Sequence, residues 1–248
     1  MRKYITVLLS TCLITFTNAN AQNSTPIPNL SEVGSHCMPQ EIAPIQNSYF
    51  NIPQLKRPQF PDRTVNMGDK GLRADIPIHT LLNRTIEQLS SQGGGTVIIP
   101  AGKWISGRIE LKSFVELHIA RGAEIVFGGC AEDYLPAVFT RHEGVEIMGP
   151  GAFIYANNQE NIAITGEGRI LGPDMDAEIR KRPNGASVVE KDIPWDMPVE
   201  QRIYDGMDGR TFYRHKTISP INCRNVLIEG PGFPLLLKFL LELRHTHL

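Results

Sequence analysis

Apolar and polar positions fall into distinct textures along this chain. From Gln22 to about Asp62 no period is visible and Pro, Asn and Ser dominate, which predicts an extended lead-in with few fixed elements. Between Asp75 and Ser91, residues Ile78, Leu81, Leu82, Ile86 and Leu89 recur on one face at helical spacing, with Asp75 placed to cap the helix and Pro77 in its first turn. Gly93-Gly94-Gly95 then stops it. Beyond the glycines, as far as Gly230, short apolar runs of period two alternate with Gly, Pro, Asn and Asp, a pattern of strands and turns.

The runs resemble one another. Val115-Glu-Leu-His-Ile119, Gly144-Val-Glu-Ile-Met148, Asn161-Ile-Ala-Ile-Thr165 and Asn225-Val-Leu-Ile-Glu229 share a Val/Ile-x-Leu/Ile core, and a turn with Gly follows each. Short strands recurring without helices between them predict a solenoid whose coils add strands to parallel sheets and stack Val, Ile and Leu along the axis. The competing arrangement, a β-sandwich, needs tight antiparallel hairpins, and the Asn-Gly or Asp-Gly pairs that make them are sparse. Pro183-Asn184-Gly185 and Asp208-Gly209 fall in a polar insert instead. The helix over 75–91 is positioned to cover the first coil, whose apolar end and strand edge need shielding.

That insert runs from Asp174 to Arg214 and breaks the strand rhythm. It carries Arg180, Lys181, Arg182, Lys191, Trp195, Arg202, Tyr204, Arg210, Tyr213 and Arg214, a mixture of basic and aromatic side chains in a loop long enough to be functional.

The two ends differ from the middle. Residues 1–21 have the form of a secretory signal: Arg2 and Lys3, an apolar stretch from Ile5 to Phe16, and Ala19-Asn20-Ala21 at the cleavage position. The stretch is shorter than the roughly 20 residues that cross a bilayer, so export to the periplasm or outside the cell is expected without a membrane span. At the other end, within 231–248, Leu235-Leu-Leu-Lys-Phe-Leu-Leu-Glu-Leu243 has neither strand alternation nor turns. It reads as the product of a shifted or interrupted reading frame, or as a C-terminal cap.

Composition narrows the choice of function. Across 248 residues, 41% hydrophobic and 21% charged, one globular domain with a real core is expected, and a formal net charge of −1 supplies no positive field for nucleic acid. No phosphate-binding glycine pattern follows a strand. Outside the signal, Cys37, Cys130 and Cys223 lack paired spacing, so a zinc ribbon or disulfide framework is excluded and buried small hydrophobes are expected. His118, His142 and His215 read as surface or partly buried histidines rather than bases.

One group of motifs carries a family resemblance. Gly93-Gly-Gly-Thr-Val-Ile-Ile-Pro-Ala-Gly102, Ser106-Gly-Arg-Ile-Glu-Leu-Lys-Ser113, Gly122-Ala-Glu-Ile125, Asp133-Tyr-Leu-Pro136, Ile154-Tyr-Ala156, Asn161-Ile-Ala-Ile-Thr-Gly-Glu-Gly168 and Ile218 to Gly230 together resemble glycoside hydrolase family 28, the polygalacturonases. The similarity runs from roughly Phe60 to Gly230. It implies an all-β, right-handed parallel β-helix of the pectin-lyase-like kind, with an N-terminal capping helix and incomplete at the C-terminus. The implied organisation is a signal at 1–21, a lead-in at 22–62, a partial β-helix at 63–230 with the insert 174–214, and an atypical tail at 231–248.

The resemblance also implies an inverting hydrolase of pectic polysaccharides that uses no cofactor or metal; a monomer is expected. Inversion needs a carboxylic acid and a carboxylate facing one cleft. The family supplies them from an Asn-Thr-Asp motif and an Asp-Asp pair, with a Gly-His-Gly histidine and an Arg-Ile-Lys clamp, and none of these is present. No catalytic residue is therefore assigned, and the chain alone is expected to be inactive. Substrate contacts are expected from the insert, where Arg180, Arg182 and Arg214 can hold carboxylates and Trp195 can stack on a sugar. A non-catalytic carbohydrate-binding β-helix and a calcium-dependent pectate lyase are the alternatives, the second lacking a tight acidic cluster on a strand face.

Overall fold

Each recurring apolar run becomes one strand of a coil. A computed structural model describes residues 57–142, 144–181, 196–207, 213 and 215–233, all within one of two compact units, Met38–Leu248. A short strand β1 (Thr64–Asn66) precedes helix α1 (His79–Ser91), and the first full coil follows as β2 (Gly95–Ile99), β3 (Gly102–Ser106) and β4 (Ile109–Glu110). The second coil opens with β5 (Val115–Ile119) and β6 (Ala123–Phe127), detours through β7 (Val138–His142) and β8 (Val145–Gly149), and closes with β9 (Ala152–Asn157). In the third, β10 (Glu160–Gly166) and β11 (Arg169–Leu171) lead through a long excursion, containing the short α2 (Glu178–Lys181), to β12 (Lys216–Ile221). β13 (Arg224–Ile228) begins the next turn.

Strand order shows the coiling directly. The first sheet runs β1-β2-β5-β10-β13, the second β3-β6-β11 and the third β4-β9-β12, every neighbour parallel. The result is an all-β, right-handed parallel β-helix. Period-two alternation aims every second residue inward, and stacking does the rest. Val97, Leu117, Ile164 and Ile228 lie side by side in the first sheet, Trp104, Ile125 and Ile170 in the second, and Ile109, Ile154 and Ile218 in the third. Val97, Leu117, Ile109 and Ile125 are fully buried, each burial contributing about 1.5–3 kcal/mol.

Backbone of left-handed conformation makes the corner from the third sheet into the first. Asn158, Asn161, Asn222 and Asn225 have φ between 50° and 55°, values that Asn tolerates better than other side chains. Asn161 and Asn225 occupy equivalent corners of successive coils, and the Asn225 amide donates to the Asn161 side-chain oxygen at 2.5 Å.

Helix α1 turns Leu82, Ile86 and Leu89 inward against β2, β4 and β5. It begins at His79, four residues later than the pattern predicts. Asp75 does not cap it: its carboxylate is held by the exposed Arg73 guanidinium at 2.7 Å, while the Ile78 amide donates to the Ile105 carbonyl. Gln92 and the glycines end the helix, Gly93 and Gly94 at φ 96° and 99°.

Two further expectations are corrected. The run Val145–Gly149 is not a coil strand: β8 pairs antiparallel with β7 through a turn at Gly144, so the solenoid carries a hairpin where parallel strands alone were expected. Cys223 is buried, but Cys130 is exposed, because it precedes the 3-10 turn Ala131–Tyr134 outside the coil; Cys37 lies outside the described residues. Among the described residues no helix is long and apolar enough to cross a membrane.

Candidate functional site

Polar side chains that a solenoid would normally leave in water are buried beside the third sheet, where the hairpin β7–β8 folds back. Arg108, just before β4 and 4% exposed, is the anchor. Its Nη1 donates to the carbonyls of Tyr134 at 2.5 Å, Pro136 at 3.0 Å and Pro150 at 3.3 Å, tying down both ends of the excursion. The same guanidinium meets Glu110 at 3.0 Å, a carboxylate that Lys112 also approaches at 3.6 Å. The charge is thus paired and its donors are used, as a buried cation requires.

Two further side chains fasten the hairpin to the third sheet, and a third is buried beside them. The Tyr155 hydroxyl donates to the Phe139 carbonyl at 2.8 Å, and burial pushes that phenol well above its usual range. The Lys216 ammonium donates to the Arg141 carbonyl. Desolvation, aided by the neighbouring Arg141 charge, lowers Lys216 to about 8. His215 is 2% exposed, between Tyr134 at 4.0 Å and Phe153 at 5.0 Å. Its Nδ1 lies 3.2 Å from the Gly151 carbonyl, which only accepts, so Nδ1 carries the proton. Burial pulls this imidazole down to about 3, leaving it neutral at ordinary pH.

Beside these lies a shallow depression lined by Thr140, His142, Ile147, Pro150, Tyr213 and Lys216. His142 stacks on Tyr213 at 4.2 Å and Tyr204 tilts against the same ring at 5.3 Å, making with Val145 and Ile147 a small satellite core. An amine with a lowered pKa, the His142 imidazole and the Tyr213 ring around one hollow are groups suited to holding a polar ring.

His142 and His215 are therefore buried, against the expectation of surface or partly buried positions: His142, at the end of β7, packs against Tyr213, and His215 is enclosed by Tyr134 and Phe153. Of the residues predicted to bind substrate, Arg180 is half-buried and ties α2 to its own loop: Nε donates to the Pro173 carbonyl at 2.8 Å and Nη1 reaches the Met175 sulfur at 3.2 Å. Arg182, Trp195 and Arg214 lie outside the described residues. Asp174, Asp176 and Asp196 are exposed, while Asp205 is buried and accepts the Met207 amide at 3.0 Å. The pattern of the chain did not single out Arg108, Tyr155 or Lys216; a hairpin at 138–149 was the missing clue.

One surface group has metal-binding residue types. Cys130, Glu132 and Glu178 bring ligand atoms within 4.8 Å of one another, all exposed. Partial burial first, then the nearby Asp133 and Glu178 charges, raise the Cys130 thiol, which favours the protonated form over the thiolate a metal takes.

No family model matches the chain, and no curated protein matches it. Solved structures do. An exopolygalacturonase from Thermotoga maritima is 34% identical over 72% of this chain, with a TM-score of 0.62. A protein from Parabacteroides merdae, described as a candidate glycosyl hydrolase, is 24% identical over 74% of this chain at a TM-score of 0.50, which shows the shared fold. The family 28 exopolygalacturonase of Yersinia enterocolitica is 23% identical over 69% of this chain at 0.48. This chain spans 43% of the length of the Thermotoga enzyme and 70% of the Parabacteroides protein. Its fold is of the kind on which polygalacturonases are built.

Proposed function

We propose that this chain is the N-terminal portion of a family 28 glycoside hydrolase that degrades pectic polysaccharide, exported to the periplasm or outside the cell and working as a monomer. The observation that carries the reading is the 34% identity to the Thermotoga exopolygalacturonase over 72% of the chain, together with the motifs between Phe60 and Gly230. In this reading residues 1–21 are removed on export, 63–230 are the first coils, and 231–248 are foreign to the solenoid.

Chemistry in an inverting hydrolase needs an acid to protonate the leaving oxygen and a base to activate water, roughly 6.5–9.5 Å apart. No motif of this sequence supplies that pair. In the proposed enzyme the pair lies on coils beyond this stretch, and the present coils contribute the wall of the cleft. The depression beside Lys216 and Tyr213 is the part of that wall described above, and Arg182, Trp195 and Arg214 are proposed to reach the polymer from the insert.

Reducing-sugar release from polygalacturonate tests the reading, with the chain as it stands and with a version extended through the downstream reading frame. Cleavage by the extended version alone is the expected result. Cleavage by the short chain would move the catalytic carboxylates into this sequence. Silence from both would remove the hydrolase reading and favour a binding protein.

A further inference from the structure

The outer face of the first sheet, away from the hairpin, holds a chain of hydrogen bonds that crosses three coils. On β5 the inward Val115, Leu117 and Ile119 are fully buried, while Glu116 and His118 face outward and are partly exposed. The hydroxyls of Thr96 on β2 and Thr165 on β10 both donate to Glu116, at 2.7 and 2.6 Å. His118 Nδ1 lies 2.9 Å from the same Thr165 oxygen.

These distances fix the direction of every proton. A carboxylate accepts only, so Thr165 spends its one hydrogen on Glu116. Its oxygen must then accept from His118, which places the proton on Nδ1. In the neutral imidazole Nε2 is left as an acceptor, and no hydrogen bond to it is made among the described residues. Glu116 has lone pairs to spare after taking two hydroxyls. Two acceptors thus stand on adjacent positions of one strand face, held by groups in the neighbouring strands.

Neighbouring residues say what they would accept from. Ile98 is in register beside His118, and Leu227 lies in the row of Glu116 by way of Ala163, both partly exposed. Glu229, one residue past Ile228, is paired with Arg57 at 2.6 Å. The face at Glu116 and His118 is partly apolar and rich in fixed acceptors, Ala163 between Glu116 and Leu227 is fully buried, and among the described residues the Glu116 carboxylate is held by hydroxyls rather than by a cation. Such a surface suits donors carried on an uncharged ring and repels a second carboxylate.

We infer that the outer face of the first sheet is a contact site for a neutral, hydroxyl-rich saccharide, with His118 Nε2 and Glu116 accepting from its hydroxyls and Thr165 holding the imidazole in place. The site is separate from the depression beside the hairpin and does not rest on the pectic reading.

Imidazole nitrogen NMR of the full chain, titrated with galactotetraose and separately with trigalacturonate, tests it. The free protein should carry its His118 proton on Nδ1. Galactotetraose should shift His118 Nε2, trigalacturonate should not, and affinity should fall about tenfold or more in both Thr165→Val and His118→Leu. Thr165→Val keeps the shape of the strand, so its thermal melt separates lost binding from lost fold, and it alone should also release the tautomer. An unmoved His118 signal with galactotetraose, an equal response to trigalacturonate, or unchanged affinity in Thr165→Val would each overturn the inference. Polygalacturonate hydrolysis reads the other proposal independently.

Discussion

At the residue scale, burial sets the protonation of His215 and with it a dependence of stability on acid. Its folded-state value, near 3, lies below the 6.5 of an unfolded imidazole. The unfolded chain therefore binds the extra proton first, so stability is complete above about 6.5 and is lost as the pH falls toward 3. Each unit below 6.5 costs about 1.4 kcal/mol until the folded value is reached. His79, lowered chiefly by burial, adds to the loss in the same direction. Urea midpoints between pH 7 and 5 should fall in the natural protein and fall less in His215→Phe, which keeps an aromatic ring between Tyr134 and Phe153. A profile unchanged by that substitution would reassign the acid sensitivity elsewhere.

Arg108 offers a second test at this scale. Truncation to Ala would strand the Tyr134, Pro136 and Pro150 carbonyls and leave Glu110 without its nearest cation, a loss of about 3–5 kcal/mol in urea unfolding. In the sequence Arg108 is one letter in Ser106-Gly-Arg-Ile-Glu-Leu-Lys-Ser113, with nothing to mark it as buried. Its role follows from carbonyls 26 to 42 residues later, and the burial of His142 and His215 from Tyr213 and from Tyr134 and Phe153, and such non-local covering leaves no trace in local periodicity. Glu116 and His118 were legible only as alternate strand positions; their link through Thr165 depends on a register set 47 residues away.

Among elements, the coil strands were the most legible, because a strand with one buried face must alternate. Three of the four look-alike runs became β5, β10 and β13 in one sheet, whereas the fourth became β8. Alternation records which face is buried and is silent on whether the partner runs parallel or antiparallel. The start of α1 departs from the pattern for a related reason: Asp75 is a good cap by type, but Arg73 holds it and the chain enters the helix through Ile78.

Corners between elements make sharper predictions than strands. Gly166 has φ 101°, and a Cβ there would sit 2.1 Å from the Ile119 carbonyl oxygen, a backbone atom that cannot turn aside. Gly166→Ala should therefore destabilise by more than about 3 kcal/mol, since strain and overlap add. A melting temperature within a few degrees of the natural protein would mean that β5 and β10 part at that corner without loss. Equivalent contact recurs one coil on, where a Cβ on Gly230 would meet the Gly166 oxygen at 2.2 Å.

Taken together, the described coils form a stack in which each touches only its neighbours, so damage should spread by adjacency. Ile164 lies between Leu117 and Ile228. Ile164→Ala should cost about 2–5 kcal/mol. Hydrogen exchange should quicken first in β5 and β13, with β2 protected longest. Uniform acceleration through all coils would show instead that the stack opens as one unit.

Coil spacing carries a last consequence. Equivalent residues are 20 apart between the first and second coils, 47 between the second and third, and 64 between the third and fourth. The large additions enter at one corner, between the second sheet and the third, and the stacked interior keeps its register across them. Closing a longer loop there adds only about 0.6 kcal/mol for each doubling of its length. That corner is a port through which new surface can be added to the solenoid while its scaffold stays the same, and both the Arg108-anchored hairpin and the insert entered there.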